Sequence, residues 1–389
     1  MPRALLLLLA WLLFSPALPA QKDTCPWCRN DPERMAVAGV LGHGAMDIGF
    51  EGSEALKKFF RGEDYLFIET AHFRIASSLD AVSLDAKTRK ALEPVFEAMR
   101  AKLPDLPKRI RKLDRWLRLH WIAFRCEQFY SRFQQVLQVS DEDFPEQRQA
   151  EGPYMGMGSF LGEKDKFELI LHASRGNHQL FSDRFMGVNV PDAVRWHVQG
   201  KHKMLASVPA EDSDLRQPRW LFPHLVHNLS HMFFAAYKHF SYDPPIWLDE
   251  GLAHAMEKEV EARSFTREGE EGSYQDRSIS QDWQKMAVRL SKSRKCPKFS
   301  ELLHRATVGQ MSEDEHIMAW SMVRFLLDQH PDAFAAFLGG VKGQLDSRGY
   351  PTGKDLQGLQ RKLLKEHFGW TPLQLEQAWK DSFEAAAKK

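Results

Sequence analysis

The feature that most constrains this chain is a pair of histidines followed, after 18 intervening residues, by a glutamate in a second helix-forming segment. His227 and His231 are four residues apart within residues 218–240, where apolar residues recur at helical spacing. That spacing places both rings on one face of a helix, one turn apart, where they can share a metal ion. With 16 histidines in 389 residues, such a pair is expected roughly 0.7 times by chance, so the pair alone predicts little.

The segment around Glu250 makes the pair a candidate site. It reads IWLDEGLA from residue 246, follows two consecutive prolines, and opens a second predicted helix over about residues 247–263. A helix–loop–helix return of this length can bring Glu250 beside the two histidines. Two imidazoles and one carboxylate form a zinc site with a fourth position left open, and such a site requires the two helices to pack together.

This arrangement resembles the gluzincin metallopeptidases, and most closely the secreted peptidase MA-like group. The resemblance covers about residues 64–385 and is specific between about residues 220 and 256, where the histidine pair, the spacing and the WL-x-EGLA segment occur. It implies a thermolysin-like pair of metal-site helices that bind Zn²⁺ through His227, His231 and Glu250.

One position departs from the family pattern in a way that changes the expected chemistry. The family motif His-Glu-x-x-His reads HNLSH here, so Asn228 stands where the family has its general-base glutamate. An amide donates and accepts hydrogen bonds but has no useful basicity, and loss of a general base typically removes about 10²–10⁴ in rate. We therefore expect a zinc-binding pseudo-peptidase rather than an efficient enzyme.

Other polar residues near the motif are candidates for supporting roles. His254 follows the predicted carboxylate ligand by four residues, where several gluzincins have a carboxylate that orients a ligand histidine. His254 is therefore a candidate extra ligand or substitute base, and Glu257 and Asp249 are further candidate bases. His224 lies on the face of the two predicted histidine ligands, and His316 is a candidate for stabilising an oxyanion.

The first 20 residues have the layout of a secretory signal peptide. Arg3 precedes an apolar run over residues 4–14, and small or turn-forming residues follow up to Ala20. The run is shorter than the ~20 apolar residues that span a bilayer, so we expect cleavage rather than an uncleaved anchor. This predicts export to the periplasm, the cell envelope or the extracellular space, with no membrane-spanning segment left after cleavage.

Four cysteines follow the predicted signal peptide, and in an exported protein they can form two disulfides with three possible connectivities. They are Cys25, Cys28, Cys126 and Cys296. The CPWC segment at residues 25–28 has the spacing of a redox motif, but no room remains before it for the strand that such a motif follows. We interpret it as a structural element that pins the N-terminal segment, with a redox or metal role as the alternative.

The remaining patterns predict an α+β fold, with a small mixed or antiparallel sheet and a mostly helical body. Strands are expected within residues 64–76, 167–172 and 194–207. Helices are expected over residues 83–103, 107–139, 218–240, 247–263 and most of the chain beyond 282. The chain then divides into residues 1–20, a Cys-containing N-terminal part (21–140), a metal-site subdomain (150–265) and a C-terminal helical subdomain (282–389).

The net charge of the chain bears on the class of partner that it binds. The formal net charge of +1 gives no general attraction to nucleic acid. The expected partner is a peptide or protein segment in the cleft, and residues 196–198 are a candidate edge strand to pair with it. Two alternatives remain: an active zinc metallopeptidase with a substitute base, and a metal-free envelope protein stabilised by disulfides.

Overall fold

The structure is a computed structural model that describes residues 24–60, 63–147, 152–211, 213–266 and 282–386. The predicted signal peptide lies outside the described residues. Within them, none of the helices is long and apolar enough to cross a membrane.

Seven strands are described, and five of them form one mixed sheet. The strands are β1 (Leu66–Glu69), β2 (Phe73–Ser77), β3 (Val82–Ser83), β4 (Lys112–Leu113), β5 (Phe167–His172), β6 (Val194–Val198) and β7 (Lys203–Pro209). The five-stranded sheet has the order β1-β2-β5-β7-β6, and β3 pairs with β4 separately. β2, β5 and β7 are parallel, whereas β1 and β6 form antiparallel edges.

Thirteen α-helices are described around this sheet. They are α1 (Pro32–Ala38), α2 (Ser53–Phe59), α3 (Ala86–Arg100), α4 (Arg115–Leu137), α5 (Arg175–Met186), α6 (Pro218–Ala236), α7 (Ile246–Val260), α8 (Trp283–Ser291), α9 (Phe299–Leu302), α10 (Glu313–Gln329), α11 (Pro331–Val341), α12 (Leu356–Phe368) and α13 (Pro372–Ala386). The small sheet and the helical body confirm the predicted α+β class.

The strand predictions and most of the helix predictions agree with these bounds, but the start of α4 does not. The sequence predicts a helix from residue 107, whereas α4 begins at Arg115. The Asp114 side chain accepts a hydrogen bond from the backbone N–H of Leu117 at 2.9 Å and so caps the helix. The residues before the cap include β4 instead. The short helices α1, α2 and α5 were not predicted.

The alternation of side chains along the strands divides the apolar core between the two faces of the sheet. Ile75 and Leu169 belong to the large core cluster, which includes residues of α4, α6, α7 and α10. Ala76 and Ile170 belong to a smaller cluster that includes residues of α2 and α5. Because β2 pairs with β5, the predicted N-terminal part and the predicted metal-site subdomain share one sheet.

Gly251 allows the helices that follow the sheet to pack closely. A Cβ at Gly251 would lie 2.7 Å from the carbonyl oxygen of Ala319 and 2.8 Å from a methyl group of Val323, both on α10. The glycine in the EGLA segment is therefore required by the close approach of α7 and α10. This contact also sets the distance between Glu250 on α7 and His316 on α10.

A substitution at this contact tests the packing. We expect Gly251→Ala to lower the free energy of unfolding by about 1–3 kcal/mol, even though alanine favours a helix by up to about 1 kcal/mol. Urea denaturation measures the difference. Gly176→Ala is the matched control, because a Cβ at that helical glycine meets no atom within 4 Å. Equal stability changes in the two variants would contradict the proposed close approach.

Candidate metal centre

The three predicted ligands converge where α6 packs against α7. His227 Nε2 lies 3.2 Å from His231 Nε2, and His231 Nε2 lies 3.6 Å from Glu250 Oε1. All three side chains are buried. One donor atom from each lies within 4.8 Å of the others, so this group could hold a metal ion.

The opposite ring nitrogen of each histidine faces a carboxylate. His231 Nδ1 lies 2.7 Å from Asp249 Oδ2, and His227 Nδ1 lies 3.2 Å from Glu257 Oε2. A carboxylate at Nδ1 fixes the ring orientation and favours the tautomer whose Nε2 lone pair is available to a metal. His231 therefore has a hydrogen-bonded carboxylate behind its ring, and His227 has one within ion-pair distance.

Glu257 is held in place from several directions. Its Oε1 accepts hydrogen bonds from the Ser264 and Thr266 hydroxyls, both at 2.7 Å, and its Oε2 accepts one from the Thr266 backbone at 3.2 Å. Burial alone would raise the pKa of Glu257, but its contacts with His227 and His254 hold that pKa well below its usual range. The carboxylate is thus an anion that orients His227, and these partners leave it poorly placed to act as a substitute base.

The second oxygen of Glu250 faces another pair of histidines. Glu250 Oε2 lies 3.5 Å from His254 Nε2 and 3.6 Å from His316 Nδ1, and these two nitrogens are 3.3 Å apart. Burial lowers the pKa of His254 to about 3, so its ring is neutral near pH 7. Glu250, His254 and His316 form a second group of converging donor atoms that shares its carboxylate with the first.

Asn228 uses both ends of its amide in hydrogen bonds. Its Oδ1 accepts a hydrogen bond from Arg195 Nη1 at 3.0 Å, and its Nδ2 donates to the backbone carbonyl of His224 at 2.9 Å. A glutamate at this position would therefore face a guanidinium. The His224 ring lies 3.2 Å from the Thr266 hydroxyl and belongs to none of the converging groups found among the described residues.

An open cleft of about 720 Å³ reaches this centre from one side. It is lined by the edge strand β6, including Arg195, by the loop at residues 306–310, and by His231, Asp249 and Glu250. The centre is therefore exposed to the cleft through one histidine and one carboxylate. The predicted oxyanion residue His316 contacts Glu250 from α10 and is not among the described residues that line this cleft.

The four cysteines do not form the disulfides that the sequence allowed. All four lie in described segments, and each is a free thiol. Cys126 is fully buried in α4, and the Cys296 thiol donates to the Pro297 carbonyl at 3.4 Å. Cys25 and Cys28 lie next to histidine side chains instead.

The sequence did not identify three polar residues that lie near the candidate metal ligands or the N-terminal cysteines. Arg195 precedes the predicted edge-strand residues, and its place in that strand was its only sequence signal. His43 and His120 lie beside the two N-terminal cysteines. No sequence spacing connects these histidines to each other or to the cysteines, so only the fold reveals the contact.

Comparisons with known proteins give no identity for the chain. No known protein-family model matches the sequence, and no curated protein matches it significantly.

The role of Glu257 can be tested through metal affinity. Replacing the carboxylate in Glu257→Gln removes the negative charge facing His227, so we expect the affinity for Zn²⁺ to fall about 10–100-fold. Competition with a chromophoric chelator measures it. Glu259→Gln is the control on the same helix, because Glu259 pairs with Arg132 and Arg324 at the surface. Equal affinities in the two variants would show that Glu257 does not orient a ligand.

Proposed function

We propose that this chain is an exported, gluzincin-like zinc protein that has lost the general base of the metallopeptidases and binds an extended peptide segment in its cleft. One observation carries the proposal: both histidines direct Nε2 to a common point while carboxylates face both Nδ1 atoms. Ligand histidines of zinc sites have this environment.

The donor set fits zinc. Two imidazoles and one carboxylate are a ligand set of zinc sites that keep one position open, and His231 and Glu250 border a cleft from which that position can be reached. When bound there, zinc would polarise a carbonyl group as a Lewis acid. A thermolysin-like arrangement is supported by the histidine pair on α6, the glutamate on α7 and the antiparallel edge strand beside them.

Asn228 supports binding rather than hydrolysis. Its amide cannot accept a proton from a nucleophile at neutral pH, and its carbonyl oxygen already accepts a hydrogen bond from Arg195. Loss of the base costs about 10²–10⁴ in rate, while the surfaces that hold a peptide are unaffected by that loss.

The edge strand supports a peptide as the occupant of the cleft. β6 pairs with β7 on one side only, and its residues Val194 and Arg195 border the cleft. An extended peptide can add to such an edge through backbone hydrogen bonds. A peptide paired with β6 would run past His231 and Glu250.

An active peptidase is the second candidate, and one observation favours it. Asp249 lines the cleft, and its Oδ1 makes no hydrogen bond among the described residues. That oxygen lacks the hydroxyl donors that engage Glu257 at Ser264 and Thr266. If the protein hydrolyses peptides, Asp249 is the substitute base that the geometry favours.

Metal analysis tests the zinc site. We expect protein purified without chelator to contain zinc, and Glu250→Gln to lose one equivalent per chain, because the variant removes the only carboxylate among the three proposed ligands. Elemental analysis by mass spectrometry measures the metal, and Glu259→Gln is the matched control. Wild-type protein that contains no zinc, and binds none on addition, would support the metal-free alternative.

Restoring the base tests the loss of catalysis. We expect the wild type to be inert and Asn228→Glu to gain peptidase activity. A guanidinium this close would lower the pKa of the new carboxyl and weaken it as a base, so Asn228→Glu/Arg195→Gln should be the more active variant. A discontinuous assay on a peptide mixture measures the activity.

An active wild-type enzyme would give a different set of assay results. If the wild type cleaves peptides and Glu250→Gln abolishes cleavage, the chain is an active enzyme and the pseudo-peptidase proposal is wrong. Asp249→Asn should then remove activity even in saturating Zn²⁺, which offsets the loss of the carboxylate that faces His231 Nδ1.

A further inference from the structure

The N-terminal segment contributes to a second cluster of side chains of metal-binding types, separate from the α6–α7 centre. The cluster consists of Cys25, Cys28, His43 and His120. Cys25 Sγ is 3.2 Å from His120 Nε2, and Cys28 Sγ is 3.2 Å from His43 Nε2. The four donor atoms all lie within 4.8 Å of one another. Ligands around a tetrahedral zinc ion, with Zn–S near 2.3 Å and Zn–N near 2.0–2.1 Å, are about 3.3–3.8 Å apart, so the cluster has nearly the size of an occupied site.

We propose that Cys25, Cys28, His43 and His120 bind a structural zinc ion. Two cysteines and two histidines are a complete ligand set for a structural zinc site, with no position left open. The two thiolates would neutralise the charge of Zn²⁺, so that a neutral complex replaces separate polar groups in a buried place. Cys25, Cys28 and His120 are almost fully buried.

The hydrogen bonding of His43 independently indicates a ligand. Its Nδ1 lies 2.9 Å from the backbone carbonyl oxygen of Phe67. A carbonyl only accepts, so Nδ1 carries the proton and the neutral ring presents its Nε2 lone pair to Cys28. A backbone carbonyl at the far nitrogen is a recurrent partner of metal-binding histidines.

The backbone around the cysteines forms a turn that directs both sulfurs inward. Arg29 N–H donates to the Cys25 carbonyl at 2.8 Å, and Trp27 N–H lies 3.4 Å from Cys25 Sγ. Arg29 and Asn30 adopt left-handed backbone conformations, with φ of 57° and 53°. An N–H directed at the sulfur stabilises a thiolate, and the reversal of the chain after Cys28 lets both sulfurs face the same histidines.

The cluster joins three parts of the fold. His120 lies on α4, His43 is hydrogen-bonded to β1, and the two cysteines precede α1. A zinc ion there would link the N-terminal segment to the main sheet and to α4, the longest described helix. A disulfide between Cys25 and Cys28 would cross-link only the turn that contains them. It would give neither histidine a bonding role.

Metal content and spectroscopy of the full chain test the proposal. Cys28→Ser should lose one zinc equivalent relative to wild type, whereas Cys296→Ser, which changes a cysteine outside the cluster, should lose none. Cobalt replacement adds a direct readout, because only a thiolate ligand gives a sulfur-to-cobalt charge-transfer band. Among the described residues, this is the only converging group that contains sulfur, so the band should disappear in Cys28→Ser and persist in Glu250→Gln.

The result separates this site from the proposed function. If the α6–α7 centre binds no metal, the wild type should hold one zinc that Cys28→Ser removes and Glu250→Gln does not. Should Cys28→Ser fail to fold, His43→Gln keeps both sulfurs and should lower zinc affinity at least tenfold. Unchanged zinc content in Cys28→Ser, unchanged affinity in a folded His43→Gln, or a Cys25–Cys28 disulfide in protein purified without oxidant would overturn the proposal.

Discussion

The packing of α6, α7 and α10 buries two glutamates beside four histidines, and the rest of the site depends on how these charges are balanced. Isolated carboxylates are costly to bury. Glu257 is balanced by hydroxyl and backbone donors, whereas Glu250 faces imidazole nitrogens at 3.5–3.6 Å. A divalent cation between Glu250 and the histidine pair would offset that cost. The buried carboxylate and imidazole nitrogens carry a free-energy cost without a metal ion, and the same groups are suited to bind one.

Under the proposed function, peptide binding and catalysis depend on different groups. The edge strand β6 and the cleft need only backbone groups and shape to hold an extended peptide, and the converging nitrogens need only the α6–α7 crossing. Under the proposed function, proton transfer would need a carboxylate at the position that Asn228 occupies. Arg195 donates to the Asn228 carbonyl, so the amide at this position has a hydrogen-bonded partner.

The structural features that follow local periodicity could be predicted from the sequence. His227 and His231 share a helix face because four residues make about one turn, and the mostly apolar strand FELILH is buried at every position because both faces of β5 are covered. The start of α4 could not be placed, since the apolar pattern extends beyond the cap at Asp114. The role of Glu257 depends on the crossing of two helices, which no local pattern specifies.

The cysteine–histidine cluster was the hardest feature to foresee. Its members come from three segments, with Cys28 and His43 separated by 15 residues and Cys25 and His120 by 95. The CPWC segment suggested a disulfide because export was expected, and only the positions of the histidines favour a metal. The two proposed sites differ in chemistry: one has four protein ligands and is closed, and the other has three and opens to a cleft.

The most direct measurement is anomalous diffraction at the zinc absorption edge, on crystals grown with Zn²⁺. We expect a peak at about 2.0–2.2 Å from His227 Nε2, His231 Nε2 and a Glu250 oxygen, with Asn228 making no contact with the ion. No peak at that position, or a peak bound by His254 and His316 while the His227–His231 pair stays unliganded, would contradict it.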